Sequence, residues 1–187
     1  MSIQMLRFAA VGDRFLNALT LVDLDGEDMP LIYVNNAFVA MTGYQRQDII
    51  GRNCRFLQGP DTNKTHTLYL RKAIEQHQAI YCDLVNYRKN GEKFYNRLVL
   101  MPLSSVIRRY YIGMQIDVSG NVARGLVLGN SFDDLEMSDS IRDGLNTPLM
   151  KIQSVLALED PLDQSGPILD RAFAQILATV KSLPHYG

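Results

Sequence analysis

The chain has 187 residues, 47% of them hydrophobic and 21% charged, with a formal net charge of −1, which is the balance of a globular protein. Charge divides unevenly, with 14 Lys and Arg against 11 Asp and Glu over residues 1–120 and 5 against 9 over residues 121–187, so neither part has the basic excess of a nucleic-acid binder. No run approaches the roughly 20 apolar residues of a membrane span, and the N-terminus lacks a signal-peptide pattern, so a reducing, cytoplasmic setting is expected for the two cysteines.

In chain order, Gln4 to Asn17 carries Met5, Phe8, Ala9, Val11, Phe15 and Leu16, spaced as in a short amphipathic helix. Ala18 to Leu24 reads as a strand entering an Asp25-Gly26 turn, and LIYVNNAF as a second strand ending in a polar pair. Asn36 is the expected cap of the helix that follows. A short helical QRQDII leads to Gly51. Pro60-Asp61-Thr62 is the expected start of a longer helix through THTLYLRKAIEQ. AIYCDLVNYRKNGEKFYNRLVLMPL reads as a hairpin turning at Lys89-Asn90-Gly91, since Asn-Gly is a strong hairpin signal. RYYIGMQIDV supplies the last strand. Helices interleaved with five short strands predict an α+β domain over residues 18–118, preceded by a helical cap over residues 1–17.

Residues 119–187 differ in character. Leu145, Leu149, Ile152 and Leu156 recur at helical spacing, as do Leu169, Phe173, Ile176, Leu177 and Val180. This pattern predicts a helical hairpin. Its two thin stripes are buried either on the first domain or against a second copy of the chain, as a dimerisation or output element.

Cys54, in GRNCRFLQG, poses the chemical question. A disulfide with Cys82 is disfavoured in a reducing compartment. A metal site lacks ligands, because His66, His77 and His185 have no partner at recognisable spacing. A lone helical histidine such as His66 or His77 is more often a surface residue than a haem ligand. Nucleophilic catalysis needs a base that the sequence does not nominate. An inert buried thiol is the remaining reading, better suited to Cys82. Arg52 and Arg55 beside Cys54 are expected to lower its thiol pKa or to hold an anion.

The run GRNCRFLQGPDT resembles the signature of LOV domains, the flavin-binding, blue-light-sensing branch of the PAS fold. YVNNAFVAMTGY before it, and LRKAI, LVNYRKNG, FYN and IGMQIDV after it, are similar to the family in order and spacing. The resemblance covers residues 18–118 and implies a five-stranded antiparallel sheet with flanking helices. It also implies an FMN cofactor and reversible light-driven addition of the Cys54 thiol to flavin carbon C4a. Arg55 and Arg71 take the places that grip the phosphate, where guanidinium forks suit a dianion. Asn53 and Gln58 match ribityl and ring contacts, and Thr20 lies near the ring. Asn86 and Asn96 match the pair facing the pyrimidine edge, which needs both donors and acceptors. Gln115 matches the glutamine beside ring nitrogen N5. Leu57, Leu98, Leu100, Met101 and Ile116 either line an apolar ring pocket or fill the core.

FMN is favoured over FAD because Leu68 stands one turn before Arg71, where a further arginine would serve a longer cofactor, and the loop from Ser104 to Arg109 is short. No catalytic domain fits the C-terminal segment, so no enzymatic activity is expected. The resemblance is to the short class of the family, signalling through changed dimer packing or through an unidentified protein partner. Flavin-based redox sensing is the alternative. LNTPLMKI, from Leu145 to Ile152, resembles the dimerisation helix of histidine kinases, with Asp143 where the phosphorylated histidine would stand. Pro148 would kink such a helix, unless Thr147 caps a helix beginning at Pro148.

Overall fold

The computed structural model describes residues 3–104 and 109–120, together with helical positions 171, 172, 174, 175 and 178. The expected helical hairpin and the Asp143–Pro148 motif lie outside these residues. In chain order the elements are α1 (Ile3–Gly12), β1 (Ala18–Asp23), β2 (Leu31–Val34), α2 (Asn36–Thr42), α3 (Arg46–Ile49), a 3-10 turn (Cys54–Leu57), α4 (Lys64–Glu75), β3 (Ile80–Tyr87), β4 (Lys93–Ser104) and β5 (Arg109–Asp117). The strands form one five-stranded sheet in the order β2-β1-β5-β4-β3, and every pairing is antiparallel. The hairpin turn falls where Asn90-Gly91 predicts it, with Gly91 at φ 85°, a conformation that suits glycine.

Because side chains alternate along a strand, the sheet has two distinct faces. Leu19, Leu21, Val99, Met101, Ile112 and Met114 point to one face, where they pack with Phe8 and Val11 of α1 and with Ala172. We call this the outer face. Cys82, Leu84, Leu100 and Tyr111 point to the other, the inner face, against Leu70 and Ala73 of α4. Ala18 also points inward, against Phe38 of α2, Ile49 of α3 and Leu57 of the 3-10 turn.

Three helix boundaries differ from the sequence reading, each for a hydrogen-bonding reason. The cap of α2 is Asn35, not Asn36. Asn35 Oδ1 accepts from Phe38 N at 2.9 Å, whereas Asn36 Oδ1 accepts from the Arg46 guanidinium at 3.1 Å. Helix α4 starts after Asn63, whose side chain accepts from Thr65 N and His66 N. Thr62, within the expected start, instead turns its hydroxyl to the Val85 carbonyl at 2.6 Å. Helix α1 ends at Gly12 rather than Asn17, because carbonyls beyond it are claimed by Asn35. Nδ2 of Asn35 donates to Gly12 O at 3.0 Å, Phe15 O at 3.2 Å and Asn17 O at 2.8 Å. Oδ1 also accepts from Leu19 N at 2.9 Å. One fully buried carboxamide thus ties α1, β1 and α2 together.

Replacing Asn35 with Ala removes the cap and strands several buried backbone groups. We expect a loss of about 2–3 kcal/mol, read as a lower urea midpoint at unchanged denaturant slope. A loss below about 0.5 kcal/mol would contradict this account of the residue.

Candidate functional site

The inner face carries a set of polar side chains that a sheet packed only on apolar helices has no need of. Thr20, Asn86, Asn96 and Gln115 are each at most 3% exposed. Strand pairing explains how they come together. Ala18 faces Gln115 and Thr20 faces Gly113 across β1 and β5, while Leu98 faces Gln115 across β4 and β5. Asn96 lies opposite Leu84 and so reaches its diagonal neighbour Asn86.

The hydrogen bonds among them are incomplete. Asn96 Nδ2 donates to Asn86 Oδ1 at 2.9 Å, and Asn86 Nδ2 donates to the Val85 carbonyl at 3.0 Å. Gln115 Nε2 donates to Thr20 Oγ1 at 3.1 Å, whose hydroxyl turns to the Gly113 carbonyl at 3.4 Å. The far ends, Asn96 Oδ1 and Gln115 Oε1, are buried without a hydrogen-bond partner. A buried orphan acceptor costs about 1–3 kcal/mol, so a pair of them on one face marks a place shaped for a polar guest. Gly113 is the enabling residue. A Cβ there would stand 2.5 Å from Thr20 Oγ1 and 2.8 Å from Gln115 Nε2, so only glycine lets the two side chains cross the strand. A glycine inside a strand signals such close approach, and the sequence reading passed over it.

Apolar packing on this face falls into separate groups. Leu100, with Leu98 packed against it, belongs with α4 and Cys82, whereas Leu57, with Cys54 packed against it, belongs with α2 and α3. Val22 touches both. Met101 and Ile116, also proposed as pocket lining, pack on the outer face with Val99 and Met114. Alternation requires this once Leu100 and Gln115 point inward.

Cys54 opens the 3-10 turn and is partly buried as a free thiol. Burial pushes it up from 9.0 to about 12. This overturns the expectation of a lowered pKa, because neither flanking arginine turns to the sulfur. Arg52 lies over the Phe56 ring at 4.8 Å and donates to the Asp48 carbonyl at 3.3 Å. Arg55 donates to both carboxylate oxygens of Asp28 at 2.7 Å. Adjacency in sequence is therefore not adjacency in charge. Cys82 is buried, and its thiol too is raised by desolvation and by the neighbouring Asp83 carboxylate.

The remaining candidates sit nearer solvent. Asn53 caps the 3-10 turn, accepting from Arg55 N at 3.0 Å, and its Nδ2 donates to the Asp28 carbonyl at 2.7 Å. Gln58 is exposed at the end of that turn, and Arg71 is exposed on α4. His66 is buried, not at the surface as expected. It shares one helix face with Leu70 and Ala73, and its Nδ1 lies 3.0 Å from the Asp83 carbonyl. A carbonyl only accepts, so the proton resides on Nδ1.

Comparison with known proteins gives one consistent picture. The PAS domain model matches residues 16–120. The chain is 45% identical over 103 residues to the blue-light-activated histidine kinase 2 of Erythrobacter litoralis, covering 54% of this chain and 30% of that protein. It is 40% identical over 114 residues to the blue light receptor lreA of Aspergillus flavus, covering 54% of this chain and 13% of that one. The chain thus spans less than a third of the length of these curated relatives. Among solved structures, the LOV domain of the Erythrobacter litoralis EL346 kinase superposes with a TM-score of 0.55 at 44% identity, over 57% of this chain and 99% of that one. The Rhodobacter sphaeroides LOV protein gives a TM-score of 0.60 at 28% identity, over 98% of this chain and all of the other.

The raised thiol has a direct consequence for reactivity. In a Cys82→Ala background, alkylation of Cys54 by iodoacetamide should keep accelerating as pH climbs well beyond the ordinary thiol value of 9.0. A plateau reached below that value would mean an electropositive, not an apolar, surrounding.

Proposed function

The chain belongs to the PAS domain family and, within it, to the LOV domains, and from that premise we propose that it is a blue-light photoreceptor binding flavin mononucleotide. The observation that carries the reading is the pair of buried, unpartnered carboxamide oxygens, on Asn96 and Gln115, on the face that also packs against the Cys54 turn. A flavin ring suits this arrangement, being planar and apolar on its faces and lined with donors and acceptors along its pyrimidine edge. Bound there, it supplies blue-light absorption and, once excited, an electrophilic ring carbon.

The protein's part is positional and protonic. Asn86 and Asn96 meet the pyrimidine edge, relieving the orphaned Asn96 oxygen. Leu57, Leu98 and Leu100 exclude water from the ring faces. Arg55 and Arg71 hold the phosphate, and Gln58, exposed beside the turn, is in reach of the ribityl chain with Asn53. Cys54, in the turn packed against this face, would be the residue that supplies a sulfur and a proton to an excited flavin and recovers both in darkness. Its high pKa suits that task, because the proton stays on the sulfur until it is needed. Gln115 reads the change. A nitrogen that gains a proton favours an acceptor, and Oε1, the end that the Nε2 bond to Thr20 leaves free, is the acceptor the carboxamide offers there.

Output in this reading runs along β5 to the terminal segments, through homodimer packing or an unidentified protein partner. Two features support it. Asp117 lies just beyond Gln115, where its Oδ1 accepts from Ser119 N at 2.9 Å as the strand ends. Ala172 is buried in the outer-face core, which also contains Phe8 and Val11 of α1 and Ile112 and Met114 of the strand that carries Gln115. Two free thiols suit a cytoplasmic setting.

An absorption spectrum before and after a blue flash tests the proposal. The intact protein should lose its blue band and regain it in darkness, whereas Cys54→Ala should keep its flavin and show no such loss. A Cys54→Ala protein that bleaches like the parent would overturn the role of the thiol. Size measurements in dark and light, repeated with the chain cut after Ser119, test the dimer. Monomers throughout would exclude it.

A further inference from the structure

The loop between β1 and β2 leans on the 3-10 turn through an unusual backbone. Asp28 and Met29 stand in succession at φ 62° and 50°, a left-handed conformation that non-glycine residues adopt only when held there. The holding contacts are explicit. Met29 N donates to the Gly26 carbonyl at 3.1 Å and Leu31 N to the Arg52 carbonyl at 2.9 Å, while Asn53 Nδ2 donates to the Asp28 carbonyl at 2.7 Å. The outcome is that the Asp28 carboxylate faces Arg55, whose Nη1 donates to both of its oxygens at 2.7 Å. Arg71 makes no ion pair among the described residues. One arginine of the proposed phosphate pair is thus open and the other already holds an anion.

We infer that Asp28 is a stand-in anion that occupies Arg55 until the phosphate of a flavin mononucleotide displaces it, and that Asp28 thereby sets the preference between phosphorylated and unphosphorylated flavins. This rests on the proposed flavin site and adds a residue to its specificity. A carboxylate and a phosphate oxygen compete for the same N–H donors. Once displaced, the carboxylate remains close to the phosphate as a like charge, tethered by the backbone contacts that fix the loop. Both effects act on the phosphate alone. Riboflavin, with the same ring and ribityl chain, has no group for Arg55 and leaves the Asp28 pair intact. The pair is half exposed, 52% on Arg55 and 56% on Asp28, so solvent screens it and the preference it sets is modest.

The test compares the two flavins on the flavin-free chain by quenching of flavin fluorescence, with Asp28→Asn as the variant. Asparagine is isosteric and tolerates the left-handed backbone at least as well, so the loop should persist. Affinity for FMN should rise about two- to five-fold in Asp28→Asn, while affinity for riboflavin changes by less than about 1.5-fold. Adding Asp28→Asn to Arg55→Gln should then raise FMN affinity by less than it does in the parent, because the competition for Arg55 is gone and only the like-charge repulsion remains. Equal changes for both flavins would show that Asp28 merely supports the loop. A fall in FMN affinity would show that it orients Arg55 instead of blocking it. Either result overturns the inference. A parent chain that binds neither flavin would instead refute the proposed flavin site itself.

Discussion

The pairing of β1 with β5 is the constraint on which the candidate site depends. Thr20 and Gly113 are 93 positions apart, yet their strands lie side by side at the centre of the sheet. Closing so long a loop has an entropic cost before any contact repays it. Here the repayment is the apolar outer face, where Leu19, Leu21, Ile112 and Met114 interlock with α1. Because that face fixes the register, the inner face inherits its geometry. A slip by one residue would exchange the faces, taking Gln115 and Thr20 away from the inner side together. The outer core is therefore what holds the two polar side chains within 3.1 Å.

The same separation of labour governs the thiol. Arg52 and Arg55 flank Cys54 in sequence, and a local reading has them lower its thiol pKa or hold an anion. In the folded chain each guanidinium is spoken for elsewhere, one by an aromatic ring and one by a carboxylate. Desolvation then dominates and keeps the proton in place. A protonated thiol in an apolar setting is inert toward ordinary electrophiles. In the proposed function this confines its chemistry to a partner that becomes reactive only transiently.

Much of the fold could be read from the sequence because its signals are local. The Asn90-Gly91 turn, the β-rich runs on either side and the QRQDII helix all fell where their residues predict. The misses are equally physical. Two asparagines in succession, Asn35 and Asn36, are equivalent to a capping rule. What distinguishes them is the set of carbonyls at and beyond the end of α1, on Gly12, Phe15 and Asn17, to which Asn35 donates. His66 looks like any helical histidine until its register with Leu70 and Ala73 turns it to the sheet. Met101 and Ile116, left open between pocket lining and core, belong to the outer core, as strict alternation from Leu100 and Gln115 already requires. Asp28 could not have been found, because no sequence pattern announces a left-handed Asp-Met pair.

The energies involved restrict how such a site can report an event. Re-pairing one carboxamide exchanges hydrogen bonds, and a single exchange moves the balance by about 1 kcal/mol. That is enough to shift an equilibrium several-fold only if the responding element is already close to balanced. β5 is well placed to pass on so small a change. Gln115 points inward and Met114 outward, so the strand that carries the proposed reporter also contributes to the outer-face core with α1 and Ala172. Any shift that follows the Gln115 side chain reaches the outer packing through one backbone step. A segment bound there by a large apolar area would not respond, whereas one held by a thin stripe, at a cost near the energy of one hydrogen bond, would.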